Sequence, residues 1–149
     1  MNEEIQDILH REGMSLAPIK KRAMAFFIDE MLLSLLLILA LGNSFFEAKT
    51  VEEMIVLTNT FVLEYMAMKF FYQAFFVMQY GATLGKLFMK IRVVEVKTLQ
   101  TPNVLVALNR SIVRVVSEML FYLGFLWGVL DPARQTWHDK SAKTLVVNV

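Results

Sequence analysis

The sequence predicts an all-α membrane protein: three apolar helical blocks, the third broken or re-entrant, with a small cytoplasmic strand pair. Three observations predict it. Residues 23–41 run apolar, with only Asp29, Glu30 and Ser34 interrupting. At about 1.5 Å per residue, such a helix spans roughly the 30 Å of a bilayer core. Hydrophobic residues make up 56% of the 149-residue chain and charged residues 19%, against about 45–50% and 25% in an average globular chain. Finally, residues 91–96 and 145–149 are β-branched runs that read as short strands.

The length fits one domain, so we divide the chain into a polar N-terminal segment, residues 1–17, and a membrane domain, residues 18–149. Net charge is +1, which names no partner, and nothing points to nucleic acid. With no Cys there is no disulfide framework, thiolate metal site or Cys nucleophile. The two histidines, His10 and His138, lie far apart and exclude a three-His metal site. No cofactor is called for. No nucleophile is placed beside a base by sequence, so the chain does not read as an enzyme.

The N-terminal segment places Ile5, Ile8 and Leu9 on one helical face among acidic residues, and Gly13 should end that helix. It reads as a cytosolic or surface-lying helix. The first apolar block, about residues 20–41, follows Pro18 and opens on Lys20-Lys21-Arg22, a cationic collar that suits the cytoplasmic side. A signal peptide fits poorly, because the polar leader is long and the apolar run exceeds the usual ~7–15 residues. Asp29 inside this helix carries a cost of several kcal/mol in lipid and is therefore a candidate functional residue.

The second block, about residues 54–80, follows an acidic loop that suits the outer side. It places Thr58, Tyr65, Lys69, Tyr72 and Phe76 on one stripe, which should face protein rather than lipid. Glu64 lies off that stripe, nearer the outer side, and with Lys69, Arg110 and Arg114 is a candidate for ion pairing or a substrate path. The connection after it carries Lys86, Lys90, Arg92 and Lys97, again a cytoplasmic pattern. Its Gly81-Ala82-Thr83-Leu84-Gly85-Lys86 start is not a phosphate-binding loop. That motif needs four residues between the glycines and Ser or Thr after the Lys, and here Leu87 follows.

The third block, about residues 103–130, traces Asn103, Ala107, Arg110, Arg114, Ser117 and Phe121 along one face. Leu105, Leu108, Ile112, Val115, Val116 and Met119 cover the opposite side. Such a helix lies in the interface or turns its basic stripe inward. The basic tail then requires the block to turn back, with Gly124 the obvious breaker and both termini in the cytoplasm.

Three marked pieces stand in order. They are Arg22 with Asp29 seven residues later; Gly81-Ala82-Thr83-Leu84-Gly85-Lys86 with Ile91-Arg92-Val93-Val94; and Leu130-Asp131-Pro132-Ala133-Arg134-Gln135-Thr136-Trp137-His138-Asp139-Lys140. Together they resemble the RDD family of bacterial and archaeal membrane proteins, over roughly residues 18–149. By position the family's one Arg and two Asp match Arg22, Asp29 and Asp139. The resemblance implies an integral membrane protein, with transport as a candidate activity.

Arg22 and Asp29 share a face but stand about 10 Å apart along the axis, so they do not touch. Arg22 reads either as a lipid-phosphate anchor or as a partner of Asp29 or Asp139. Asp29 reads either as half of a structural ion pair or as a proton- or cation-binding group. Its natural partner by depth is Lys69, with Arg110 and Arg114 in competition. Asp139 should dock the tail on Arg22 or Arg92. The expected function is a small transporter or ion-handling protein of the bacterial inner membrane, acting as a homo-oligomer. The rival is a non-transporting scaffold or accessory subunit.

Overall fold

A two-stranded antiparallel sheet closes one end of the molecule, and the long helices pack against it. The computed structural model describes residues 2–149. In chain order the elements are α1 (Asn2–Arg11), α2 (Ile19–Glu47), α3 (Val51–Thr60), α4 (Val62–Tyr80), α5 (Leu84–Phe88), β1 (Ile91–Glu95), α6 (Val104–Met119), α7 (Leu123–Leu130), α8 (Trp137–Ala142) and β2 (Thr144–Asn148). The strand pair is therefore present, within a residue of its expected ends.

The sheet packs on both faces, so buried apolar residues stand at successive positions, Val93-Val94 in β1 and Leu145-Val146-Val147 in β2, while Arg92 and Glu95 are half-buried. Ile91, Val93 and Val146 pack with Ala17, Ala25, Val77 and Ala107 beneath the long helices. Val94, Leu145 and Val147 pack with Ile5, Leu9 and Ala133. So α1 docks on the outer face of the sheet instead of standing apart as a polar segment. It ends where expected: Gly13 takes φ +64°, and the Met14 N–H closes on the Leu9 carbonyl at 2.8 Å.

Residues 15–17 cover the free edge of β2. The Ala17 N–H donates to Val146 O and the Asn148 N–H to Ser15 O, both at 2.9 Å. The segment leading into α2 and the last strand are thus tied side by side. On the other edge Val93 gives its N–H to Gly81 O at 2.7 Å, which leaves Val93 and Val146, directly opposite, as a non-hydrogen-bonded pair. Such pairs hold the closer Cα spacing and suit a disulfide. Val93→Cys with Val146→Cys should crosslink on oxidation, seen as a reductant-sensitive mobility shift. Val93→Cys with Val147→Cys should not, because Val147 points to the other face.

Only α2 is by itself long and apolar enough to cross a membrane among the described residues. Its 29 residues extend past the expected end at Leu41 to Glu47, roughly 43 Å in all. The second block is not one straight helix: α3 and α4 meet at 49°. Thr58 and Thr60 bond back to the carbonyls of Met54 and Val56, each at 2.8 Å, a bonding pattern that bends helices.

The third block is broken, as expected, with α6 and α7 at 105°. The break is at residues 120–122, not at Gly124. Phe121 and Tyr122 take φ +55° and +61°, the left-handed region that costs a side-chain-bearing residue about 1–2 kcal/mol. Gly124 instead lets α7 close onto its neighbours. A Cβ there would overlap Ser117 Oγ and press on Trp137 Cβ at 3.0 Å.

Candidate functional site

The polar residues of α2, α4, α6 and α8 converge into three knots. The first is Asp139, fully buried in α8. Its Oδ2 accepts from the Thr136 N–H at 3.1 Å and the Thr136 hydroxyl at 2.9 Å, which fixes the carboxylate at the start of the helix. Arg22 Nη2 from α2 reaches Oδ2 at 2.5 Å, and Arg110 Nη1 from α6 pairs with Oδ1. Arg110 Nη1 also donates to Thr144 Oγ1 at 2.7 Å. One carboxylate therefore gathers two helices and the last strand. Burial alone would raise the Asp139 carboxyl, but Arg110 and then Arg22 hold it well below the usual carboxylate range. Beside it, burial pushes His138 well below the ordinary imidazole value, so its ring is neutral at pH 7.

The second knot is Lys69 of α4. Its Nζ meets Glu30 at 2.8 Å and Glu118 at 2.6 Å. Glu118 also takes Arg114 Nε at 3.3 Å, and Arg114 Nη1 donates to Gln73 Oε1. The Tyr65 hydroxyl completes the group on Glu30 Oε2 at 3.0 Å. The Arg114 guanidinium lies over the rings of Phe26 and Phe125, 5.4 and 5.6 Å from their centroids.

The third knot corrects the expectation for Asp29. Asp29 is 1% exposed, yet neither Lys69 nor an arginine of the third block pairs with it. Its Oδ1 accepts from the Tyr72 hydroxyl at 2.6 Å and the Gly85 N–H at 2.8 Å, and its Oδ2 from Thr83 Oγ1 at 2.6 Å. Three neutral donors serve a carboxylate, an acceptor-only group. They come from α4 and from the start of α5, which lies directly on α2. A Cβ on Gly85 would overlap the Ala25 carbonyl oxygen and stand 2.8 Å from Asp29 Oδ1. Asp29 therefore faces the 81–88 connection rather than lipid.

The structure thus brings Arg22, Asp139 and Arg110 together, and Lys69 with Arg114 through Glu118. It separates Asp29 from both groups and leaves Glu64 exposed near the start of α4, outside the knots. Arg92 is not the partner of Asp139. Sequence reasoning missed Glu118, although it stands four residues after Arg114 on the same face. It also passed over Thr83 and Gly85, whose role depends on a five-residue helix too short to show a period.

A cavity of about 270 Å³ opens between these helices. Its polar lining is Arg22, Lys86, Arg110 and Arg114, with Tyr122, Thr136 and His138; Phe26 and Phe125 are among its apolar walls. Lys86 is 7% exposed and forms no ion pair among the described residues.

No curated protein and no solved structure matches this chain. A family model described as the RDD family matches residues 16–143, most of the chain. That stretch holds Arg22, Asp29 and Asp139 together with the elements that seat them, and the chain belongs to the RDD family.

Proposed function

We propose that this chain is a multi-pass membrane protein that moves a small ion or solute by way of the cavity between α2, α6, α7 and α8. The observation that carries this reading is an inverted distribution of polarity around that cavity. Helix α6 buries Ala107, Arg110, Ser111, Arg114 and Ser117. Its outer face exposes Leu105, 77% accessible, and Met119, 61%. Helix α2 likewise exposes Leu39 and Phe46. A water-soluble helix does the reverse. Apolar outer faces around a polar interior suit a bilayer, where ionisable groups turn inward and mark pathways.

The tie between residues 15–17 and β2 supports both ends on one side, and the cationic residues Lys20, Lys21, Lys90 and Arg92 near that end favour the cytoplasm of a bacterial inner membrane. The crossings are then even in number: α2 out, α3 and α4 back, with α6 and α7 re-entrant. So few helices enclose a complete pathway only by self-association, so we propose a homo-oligomer. The alternative, a scaffold or accessory subunit, draws on the ion pairing within the first two knots. Uptake of sodium, potassium, protons or small anions by vesicles containing only this protein separates the two. Flux above protein-free leak supports transport, and folded protein without flux supports the scaffold.

A further inference from the structure

We propose that the cavity is a binding site for a phosphate group carried on a partly apolar molecule, with Lys86 and the free edge of Arg110 as its ligands. This names the substrate class of the transport reading and rests on that reading for its biological sense, but not for its test.

The first ground is charge. Four cationic side chains face the cavity from three elements: Arg22 of α2, Lys86 of α5, and Arg110 and Arg114 of α6. Asp139 serves Arg22 and Arg110. Glu118 is shared between Arg114 and Lys69, and Glu30 is taken by Lys69. Asp29 is held by hydroxyls and a backbone N–H. Lys86 is the cation left over, although it is almost wholly buried. Burial and then the neighbouring Arg114 lower its amine to about 7, against the opposing pull of Asp29, which makes no ion pair with it.

The second ground is hydrogen bonding. Arg110 is fully buried and spends only Nη1 on Asp139 and Thr144. Its Nε and Nη2 have no partner. Those two nitrogens form one edge of the guanidinium, the fork that grips two oxygens of a phosphate or carboxylate in parallel. Buried donors left unmade are costly and seldom persist without a role. Lys86 and Arg110 line the same cavity, and an ammonium with a guanidinium whose donors are unmade suits an anion with oxygens in more than one plane, which favours tetrahedral phosphate. The third ground is the wall. Leu126 and Val129 line the cavity and are about 60% exposed on the apolar outer face, so an apolar tail leaves the site toward lipid.

The phosphate belongs either to a lipid headgroup or to a soluble species, and the test has an arm for each. Thermal unfolding of the full chain is followed in phosphate-free maltoside micelles, with phosphatidylglycerol added in one series and inorganic phosphate in the other. A saturable rise in Tm with either probe is expected. Lys86→Gln should weaken the midpoint concentration about tenfold or more while leaving the Tm without probe unchanged or higher, and Lys86→Arg should restore the response. A response to phosphatidylglycerol alone identifies a lipid ligand; a response to phosphate identifies a soluble one. The proposal is overturned if neither probe moves the wild-type Tm, or if Lys86→Gln responds like wild type. Binding without flux would remove the transport reading and leave this site standing, and cation flux without binding would do the opposite.

Discussion

Asp139→Asn should cost about 3–5 kcal/mol of stability, the largest loss expected from any single polar substitution here. The amide removes the only acid that Arg22 and Arg110 share, and Arg110 has no solvent to turn to. Its loss also loosens α8 from α6 and from the last strand, because one carboxylate holds all three. Adding Arg110→Met to Asp139→Asn should recover part of the loss, since it removes the fully buried charge that the amide leaves unpaired. Denaturant unfolding in detergent reads both variants. Equal destabilisation of the single and double variants would mean that the pair does not hold the fold.

The same knot sets a pH dependence. Asp139 titrates lower in the folded chain than its unfolded value of about 3.9. Its contribution is therefore complete above that value and is lost only as pH falls through the lower folded one. His138 acts earlier. Its folded value also lies below the unfolded one, near 6.5, so the unfolded chain binds the extra proton and stability declines as pH drops below about 6.5. That decline should be smaller in His138→Asn, with the wild type measured alongside.

Gly85→Ala should be nearly as damaging, by about 1–3 kcal/mol or more. The added methyl collides with backbone, the Ala25 carbonyl, which cannot rotate away as a side-chain end can. Lifting α5 off α2 also strips Asp29 of the Gly85 N–H and weakens its bond to Thr83. The Tm in detergent checks this, and a Gly85→Ala protein as stable as wild type would remove the close helix contact from the account. The charge swap Asp29→Lys with Lys69→Asp should restore nothing that either single change loses, because the two residues never meet.

Much of this architecture was legible in the sequence, and the reason is periodicity. The stripe through Ala107, Arg110, Arg114 and Ser117 is the buried face of α6, though its ends at Asn103 and Phe121 are exposed; Leu105, Ile112, Val116 and Met119 are exposed as the opposite face, with Leu108 and Val115 half-buried. The strand pair followed from β-branched runs on one side of the apolar blocks. What escaped was set by tertiary contact. Depth along α2 and α4 was read well enough to place Lys69 level with Asp29, but depth does not fix rotation. One residue is about 100° of helix, and that step hands Lys69 to Glu30 and turns Asp29 toward α5. The bend at Phe121 and Tyr122 carries no Gly or Pro signal. Two non-glycine residues are held at positive φ there, next to an α7 that its glycines seat against Ser117 and Thr136.

The central claim is that the charge knots form the frame while the cavity carries the solute. Ala23 lines the cavity from α2 and is otherwise exposed, so Ala23→Trp fills that space while leaving every knot residue in place. The decisive measurement is flux per folded protein in vesicles for wild type and Ala23→Trp, with Tm recorded for both. The account predicts equal Tm and flux reduced to protein-free leak in the filled variant; undiminished wild-type flux in Ala23→Trp would contradict it.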